Sequence, residues 1–197
     1  MFPEYQFGFR YKRSTVGAAS LLYSIANDRL KQGKRTYVAF IDFKKTFDLI
    51  PRRNLFEKLL VLGFPRGVCV LFSNIFNSLK SKIMNGDEQS QVFYSSRGLP
   101  QGDCASPVLF NLFVADLPGS LLDEGPIWRG RRINYIQYAD DLVLISENPT
   151  FLQRQIDALS TYCSENRLDV NTVKSKILIF HKGPKVFLNL KKVNLKL

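Results

Sequence analysis

Two apolar runs in this chain end on acid. Tyr37-Val38-Ala39-Phe40-Ile41 has no polar alternation and stops at Asp42. The segment from Ile133 to Ile145 climbs through Tyr135-Ile136-Gln137-Tyr138-Ala139 to the pair Asp140-Asp141 and continues as Leu142-Val143-Leu144-Ile145. A strand without alternation is one covered on both faces, so the first run reads as a buried strand and the second as strand, tight acidic turn, strand. Carboxylates set at the ends of such strands repel one another unless a cation neutralises them. Magnesium suits the requirement, because it prefers oxygen ligands, takes one or two protein carboxylates and leaves positions for phosphate oxygens. Two such ions about 4 Å apart activate a hydroxyl and stabilise the leaving oxygen of an in-line phosphoryl transfer. An Asp-Asp pair in a turn is on its own more often solvated than catalytic. Apolar strands on both sides and a third acid at another strand end shift that balance.

The rest of the chain supplies helices between these strands. Ser14 or Thr15 caps a helix with Ala18, Leu22, Ile25, Ala26 and Leu30 on one side, ending at Gly33. Pro51 opens a helix carrying Leu55, Leu59 and Leu62, stopped by Gly63-Phe64-Pro65, and a second helical pattern runs through Val68, Leu71, Phe72, Ile75, Phe76 and Leu79. Asn85-Gly86 punctuates two short strand-like pieces, a hairpin signal. After the Gly/Pro loop 98–102, Ser106-Pro107 marks the start of an apolar helix Val108–Leu117. Residues 117–132 read as a surface connection, Asn148-Pro149 opens another amphipathic helix, and Ser175–Phe180 is a further strand. Strands interleaved with crossing helices predict an α+β fold, an antiparallel sheet of split-βαβ (ferredoxin-like) type with helices packed on one face.

Composition narrows the function classes. Three cysteines without CxxC spacing (Cys69, Cys104, Cys163) and a single histidine, His181, supply neither a zinc cage nor a Ser-His-Asp triad. No apolar stretch approaches the ~18 residues of a membrane span, and no secretory signal opens the chain, which predicts a soluble intracellular protein without a membrane partner. The net charge is +11, and 16 of the 28 basic side chains against 7 of the 17 acidic ones fall in residues 1–100. Basic residues cluster at Arg10-Tyr11-Lys12-Arg13, Arg52-Arg53 and Arg129-Gly130-Arg131-Arg132, and seven lysines without an acid follow from Lys174 onward. Basic and aromatic side chains together suit a surface that follows phosphates and stacks on bases, although each cluster alone equally suits a solvated face.

The motifs carry a resemblance. Phe40-Ile41-Asp42-Phe43-Lys44-Lys45-Thr46-Phe47-Asp48, Gly98-Leu99-Pro100-Gln101-Gly102-Asp103-Cys104-Ala105-Ser106-Pro107 and Tyr138-Ala139-Asp140-Asp141 resemble, in order, the palm motifs of reverse transcriptases. Gln6-Phe7-Gly8-Phe9-Arg10 with Ser14-Thr15, and Leu168-Asp169-Val170-Asn171-Thr172-Val173-Lys174-Ser175, resemble flanking motifs of the non-LTR (LINE-type, jockey-like) retrotransposon branch. The likeness spans about residues 4–180.

The resemblance implies an RNA-directed DNA polymerase with a palm fold, extending a DNA primer on an RNA template from deoxynucleoside triphosphates. It implies that Asp42 and Asp140 bind two magnesium ions, for which Mn2+ could substitute, with Asp141 a third carboxylate and the Phe43 backbone carbonyl a supplement. Phe47 matches the aromatic position that excludes a ribose 2′-hydroxyl, which disfavours RNA-templated RNA synthesis. Gln101 and Gly102 match the loop that meets nucleotide and template, Lys174 a lysine that protonates leaving pyrophosphate, and Arg10 a contact to triphosphate or template backbone. Thr46, Asp103 and Arg167 depart from the pattern, where a small Ala, an uncharged residue and a Gly are usual. The implied organisation is the end of a fingers region (1–33), a palm (34–180) and a basic tail or the start of a truncated primer-grip and thumb region (181–197), with Val186-Phe187-Leu188-Asn189-Leu190 as the beginning of a primer-grip hairpin. The thumb and endonuclease parts of a longer polyprotein are expected elsewhere, and the expected setting is intracellular, the nucleus suiting target-primed integration and the cytoplasm standing as the alternative. The alternative is a catalytically inactive retroelement fragment that only binds nucleic acid.

Overall fold

The structure is a computed structural model that describes residues 2–183 and the backbone of 186–189. In chain order its elements are α1 (Thr15–Lys31), β1 (Thr36–Ile41), α2 (Thr46–Leu49), α3 (Arg52–Val61), α4 (Arg66–Ser78), β2 (Lys80–Ser81), β3 (Met84–Asn85), β4 (Glu88–Gln89), β5 (Phe93–Tyr94), α5 (Ser106–Phe113), α6 (Leu117–Ser120), β6 (Ile127–Trp128), β7 (Arg131–Arg132), β8 (Tyr135–Tyr138), β9 (Asp141–Ser146), α7 (Pro149–Asn166), β10 (Lys176–Phe180) and β11 (Val186–Asn189). They divide into two compact units. One comprises residues 1–44 and 114–197, the other residues 45–113. The expected 34–180 segment therefore contributes to both units, and α1 groups with the sheet because its apolar side packs on β1 and β8.

The first unit holds a five-stranded antiparallel sheet in the order β11-β10-β1-β9-β8. The four strands β1, β8, β9 and β10 have the order fourth, first, third, second, which is the split-βαβ arrangement. Its central strand is covered on both sides, as the absence of alternation predicts. Val38 and Ala39, neighbours that point to opposite faces, are both fully buried. On one face Val38, Ile136 and Ile145 pack with Ile25, Ile133 and Phe7, joined by Ala18, Leu21 and Leu22 of α1. The helix α7 begins where Asn148 accepts a hydrogen bond from the Phe151 N–H at 2.8 Å, and it packs on β9 and β1 through fully buried Leu152, Ile156 and Leu159.

Helix α7 closes at Arg167 in the left-handed region (φ 54°), a position that favours glycine. Arg167→Gly is expected to stabilise the protein by about 0.5–1 kcal/mol, read as a higher urea midpoint with an unchanged slope.

Residues 117–132 are more ordered than the expected surface connection. They contain α6 and the hairpin β6–β7, whose central residues Arg129 and Gly130 both have positive φ. Trp128 fixes this hairpin by packing against the sheet core and donating from Nε1 to Asp28 at 2.9 Å.

Of the three thiols, Cys69 and Cys163 are buried and Cys104 is exposed. Burial pushes the Cys163 thiol up to about 12, with Asp169 adding to it, and burial likewise pushes the Tyr135 hydroxyl up to about 12. Both groups hold their protons more tightly in the fold than in the unfolded chain. Their contribution is complete below about pH 9 and is lost as pH rises toward 12. The urea midpoint should therefore fall with pH above 9, less steeply in Cys163→Ala. At neutral pH, Cys104 alone should react promptly with a thiol reagent.

In the second unit, α3 packs on α4 and α5 around Ile50, Leu55, Leu59, Phe76, Phe110 and Phe113, all buried. Helix α5 ends at Phe113, four residues short of the expected end at Leu117. The Lys58 Nζ donates to the Phe113 carbonyl at 2.9 Å and so takes the place of a further helical N–H at that end. The expected hairpin forms as β3–β4, but Asn85 pairs with Glu88, which leaves Gly86-Asp87 as the turn. Pro51 stands one residue ahead of α3.

Candidate active site

The sheet register builds the acidic end of the first unit. Ile41 pairs with Leu142 and Tyr138 with Asp141, so Ala139 and Asp140 are the two turn residues between β8 and β9. Carrying the β1–β9 register one step further sets Asp42 opposite Asp141. Asp42 and Asp140 are each half-buried. The Asp141 carboxyl is raised above its ordinary range, first by loss of water around it and then by the negative charges of Asp140 and Asp42. Of the three carboxylates predicted to act together, Asp141 is thus within electrostatic reach of both others.

The strand end that carries Asp42 is pinned by the segment after α7. The Asp42 N–H donates to Ser175 Oγ at 3.0 Å, and its carbonyl accepts from the Asn171 N–H at 2.7 Å. Lys44 donates its N–H to the Asp169 carbonyl at 2.7 Å, and Phe43 bridges to Val170. Asn171 Oδ1 accepts the N–H groups of Val173 and Lys174 at 3.2 Å each, forming the turn that presents an exposed Lys174. One short segment therefore fixes both the first aspartate and the candidate proton donor.

Among the described residues no group of three or more His, Cys, Asp or Glu side chains forms a ready-made metal cage. A few like-charged carboxylates at the end of an apolar sheet nevertheless fit a hard divalent cation that completes its shell with substrate and water oxygens.

The remaining predicted residues behave differently. Arg10 spends Nη1 on the carbonyls of Pro3, Glu4 and Gln6, folding the N-terminal segment onto itself. In the second unit, Phe47 is half-buried with its ring 5.0 Å from that of Phe110. Gln101 is exposed and donates to Asp48 Oδ1 at 3.2 Å, and Gly102 has φ +88° with open space around it. They border a loop anchored by the Gly98 N–H on the Ile50 carbonyl and the Leu99 N–H on the Phe47 carbonyl. Gly98 is required there: its φ is +83°, and a Cβ would stand 2.5 Å from the Asp48 carbonyl oxygen. A cleft of about 420 Å³ lies in this unit, lined by Asp48, Arg97, Gly98, Pro100 and Gln101 among others. Of the departures from the motif pattern, Thr46 is buried with no hydrogen-bond partner for its hydroxyl, and Asp103 accepts from Ser106 Oγ.

The model of the family described as reverse transcriptase (RNA-dependent DNA polymerase) matches residues 1–194. The chain belongs to the reverse transcriptase family. It is 29% identical over 170 residues to the Retrovirus-related Pol polyprotein from the type-2 retrotransposable element R2DM of Drosophila melanogaster, covering 86% of this chain and 16% of that protein. It is 24% identical over 184 residues to the RNA-directed DNA polymerase from mobile element jockey of Drosophila funebris, covering 90% of this chain and 20% of that one. Both relatives are proteins of transposable elements, and the chain spans about a fifth of their length or less. Among solved structures, apo telomerase from Candida tropicalis truncated from its C-terminal domain superposes with a TM-score of 0.68 at 17% identity, covering 93% of this chain and 40% of that chain. At that identity the likeness concerns the reverse transcriptase fold alone.

Three residues that contact the acidic turn of this reverse transcriptase domain were not predicted to do so. Gln6 and Gln137 are both buried, and their side-chain amides reach the Ala139 backbone. Gly8 approaches the same backbone so closely that a Cβ would stand 2.3 Å from the Ala139 nitrogen. The signal available in the sequence was Gln6 and Gly8 alternating with Phe7 and Phe9, a period-two pattern suited to a strand.

Two of the basic clusters are also less available than their composition suggests. Arg52 is buried, Arg131 pairs with Glu4, and Arg132 pairs with Asp123 at 3.5 Å.

Proposed function

We propose that this domain is an RNA-directed DNA polymerase that extends a primer 3′-hydroxyl by attack on the α-phosphate of a deoxynucleoside triphosphate. The observation that carries the reading is the register that continues from Ile41↔Leu142 to set Asp42 beside the Asp140-Asp141 turn. Asp42 and Asp140 would hold divalent metal, with Asp141 and the Phe43 carbonyl as supplements. When bound, magnesium would lower the pKa of the primer hydroxyl and offset charge developing on the phosphoryl oxygens.

This chain's own groups supply the rest. The turn capped by Asn171 presents the Lys174 ammonium to solvent, where it can give a proton to pyrophosphate as it leaves. Phe47, supported by Phe110, supplies a ring of the size that rejects a 2′-hydroxyl, and Gln101 and the open backbone of Gly102 supply polar contacts for nucleotide and template. The net charge of +11 favours a polyanionic primer–template.

The test is primer extension on an RNA template with magnesium. Incorporation that follows the template sequence and loses affinity steeply between 50 and 200 mM salt, as expected of phosphate-led contacts, is the expected result. A folded chain that binds the duplex without incorporating anything would instead support the inactive, nucleic-acid-binding alternative.

A further inference from the structure

We propose that Gln6 is a positioning residue for the acidic turn, its buried amide acting with that of Gln137 to hold Ala139 in the conformation from which Asp140 and Asp141 depart. This rests on the polymerase reading. Ala139 has φ +55°, a left-handed conformation that the Cβ of an alanine disfavours. Such a residue persists only where its surroundings over-determine it.

Here they do. Gln6 Oε1 accepts the Ala139 N–H at 3.0 Å and the Gly8 N–H at 2.8 Å. The Ala139 carbonyl accepts from Gln137 Nε2 at 2.9 Å and from Gln6 Nε2 at 3.4 Å. Gln6 and Gln137 are each 1% exposed, so no water is at hand to replace either bond. The backbone reinforces the arrangement. The Phe7 N–H donates to the Gln137 carbonyl at 2.7 Å and the Gln137 N–H to the Tyr5 carbonyl at 2.9 Å, so residues 5–7 lie along the outer edge of β8. Gly8 closes the third side, since any Cβ there would collide with Ala139.

The physical need for this clamp comes from the charges it carries. Asp140 and Asp141 sit side by side with Asp42 opposite, and repulsion among them favours a turn that splays. Two amides fixed by the N-terminal segment oppose that motion before any cation arrives, so the carboxylates are pre-arranged rather than gathered by the metal.

The experiment titrates Mn2+ into the full chain without nucleic acid, following the free-ion electron paramagnetic resonance signal, and compares Gln6→Met, which keeps the volume and removes the amide. Mn2+ affinity should fall about 10–100-fold, the usual effect of losing a group that orients a metal ligand. The magnesium concentration for half-maximal primer extension should rise in step, while primer–template affinity stays unchanged. A purely structural role would lower the urea midpoint without moving metal affinity in the folded protein. If Gln6→Met does not fold, Gln137→Met, which removes the single 2.9 Å bond, gives the same comparison with a smaller shift. Folded variants that bind Mn2+ as tightly as the parent would overturn the clamp alone. A parent that binds no Mn2+ would overturn the polymerase reading together with it.

Discussion

Asp140→Asn is expected to reduce RNA-templated primer extension by about a thousandfold or more while leaving the fold intact. Asparagine keeps the shape of the side chain and removes its charge, so what is lost is the affinity for a divalent cation rather than packing. Metal at a phosphoryl-transfer site supplies several kcal/mol of transition-state stabilisation, and about 4 kcal/mol corresponds to a factor near 10³ in rate. Stability should not fall, because the substitution removes one of the negative charges that, after burial, raise the proton affinity of the Asp141 carboxyl. Asp42→Asn should match it, since the hydrogen bonds that pin that strand end come from the Asp42 backbone and survive the change. Asp141→Asn should cost less, as a supplementary ligand. The measurement is single-nucleotide incorporation at saturating primer–template, with thermal unfolding as the control for folding. Incorporation by Asp140→Asn equal to that of the parent would remove Asp140 from the chemistry.

What the sequence made legible follows from which signals are local. The acidic turn could be read because its whole pattern, apolar run, acid, apolar run, lies within thirteen residues, and because a strand covered on both faces needs no knowledge of its partners. Caps at Ser14 and Asn148 were legible for the same reason: the side chain and the N–H it satisfies are three residues apart. The Gln6 clamp was not legible, because a buried amide and a surface one are the same letter and its partner lies 133 positions away. Helix α5 stopped early for a similar reason, its last carbonyl being claimed by Lys58 from another helix. Arg10 is a further case of what the sequence does not show: its Nη1 donates to carbonyls of its own segment, a local use that the basic and aromatic composition of residues 10–13 does not reveal.

Arg52 and Arg53 carry the sharpest contrast between composition and structure, and with it a large expected effect on stability. They are adjacent and identical, but about 100° apart around a helix, so only Arg52 turns inward. Its Nε donates to the Gly98 carbonyl at 2.8 Å, Nη1 to those of Phe76 at 2.9 Å and Ser95 at 2.7 Å, and Nη2 to that of Arg97 at 3.3 Å. Its guanidinium also lies 5.7 Å from the Phe76 ring centroid. These carbonyls belong to the end of α4 and to the approach to the 98–102 loop, and that of Arg97 also accepts from Ser95 Oγ at 2.6 Å. Arg52→Met keeps most of the apolar stem and orphans several of them, for an expected loss of about 3–5 kcal/mol at roughly 1–3 kcal/mol per buried group left unpaired. Arg52→Lys should recover only a part, because one ammonium cannot span four carbonyls in the fork that a guanidinium presents. Arg53→Met, whose side chain is exposed and reaches only Glu57, should leave the urea midpoint where it is. Hydrogen exchange would locate the damage: in Arg52→Met the Gly98 and Leu99 amides, bonded to the Ile50 and Phe47 carbonyls, should lose protection before those of β1 and β9. Equal urea midpoints for Arg52→Met and Arg53→Met would show that the loop before Gln101 holds its shape without the buried arginine.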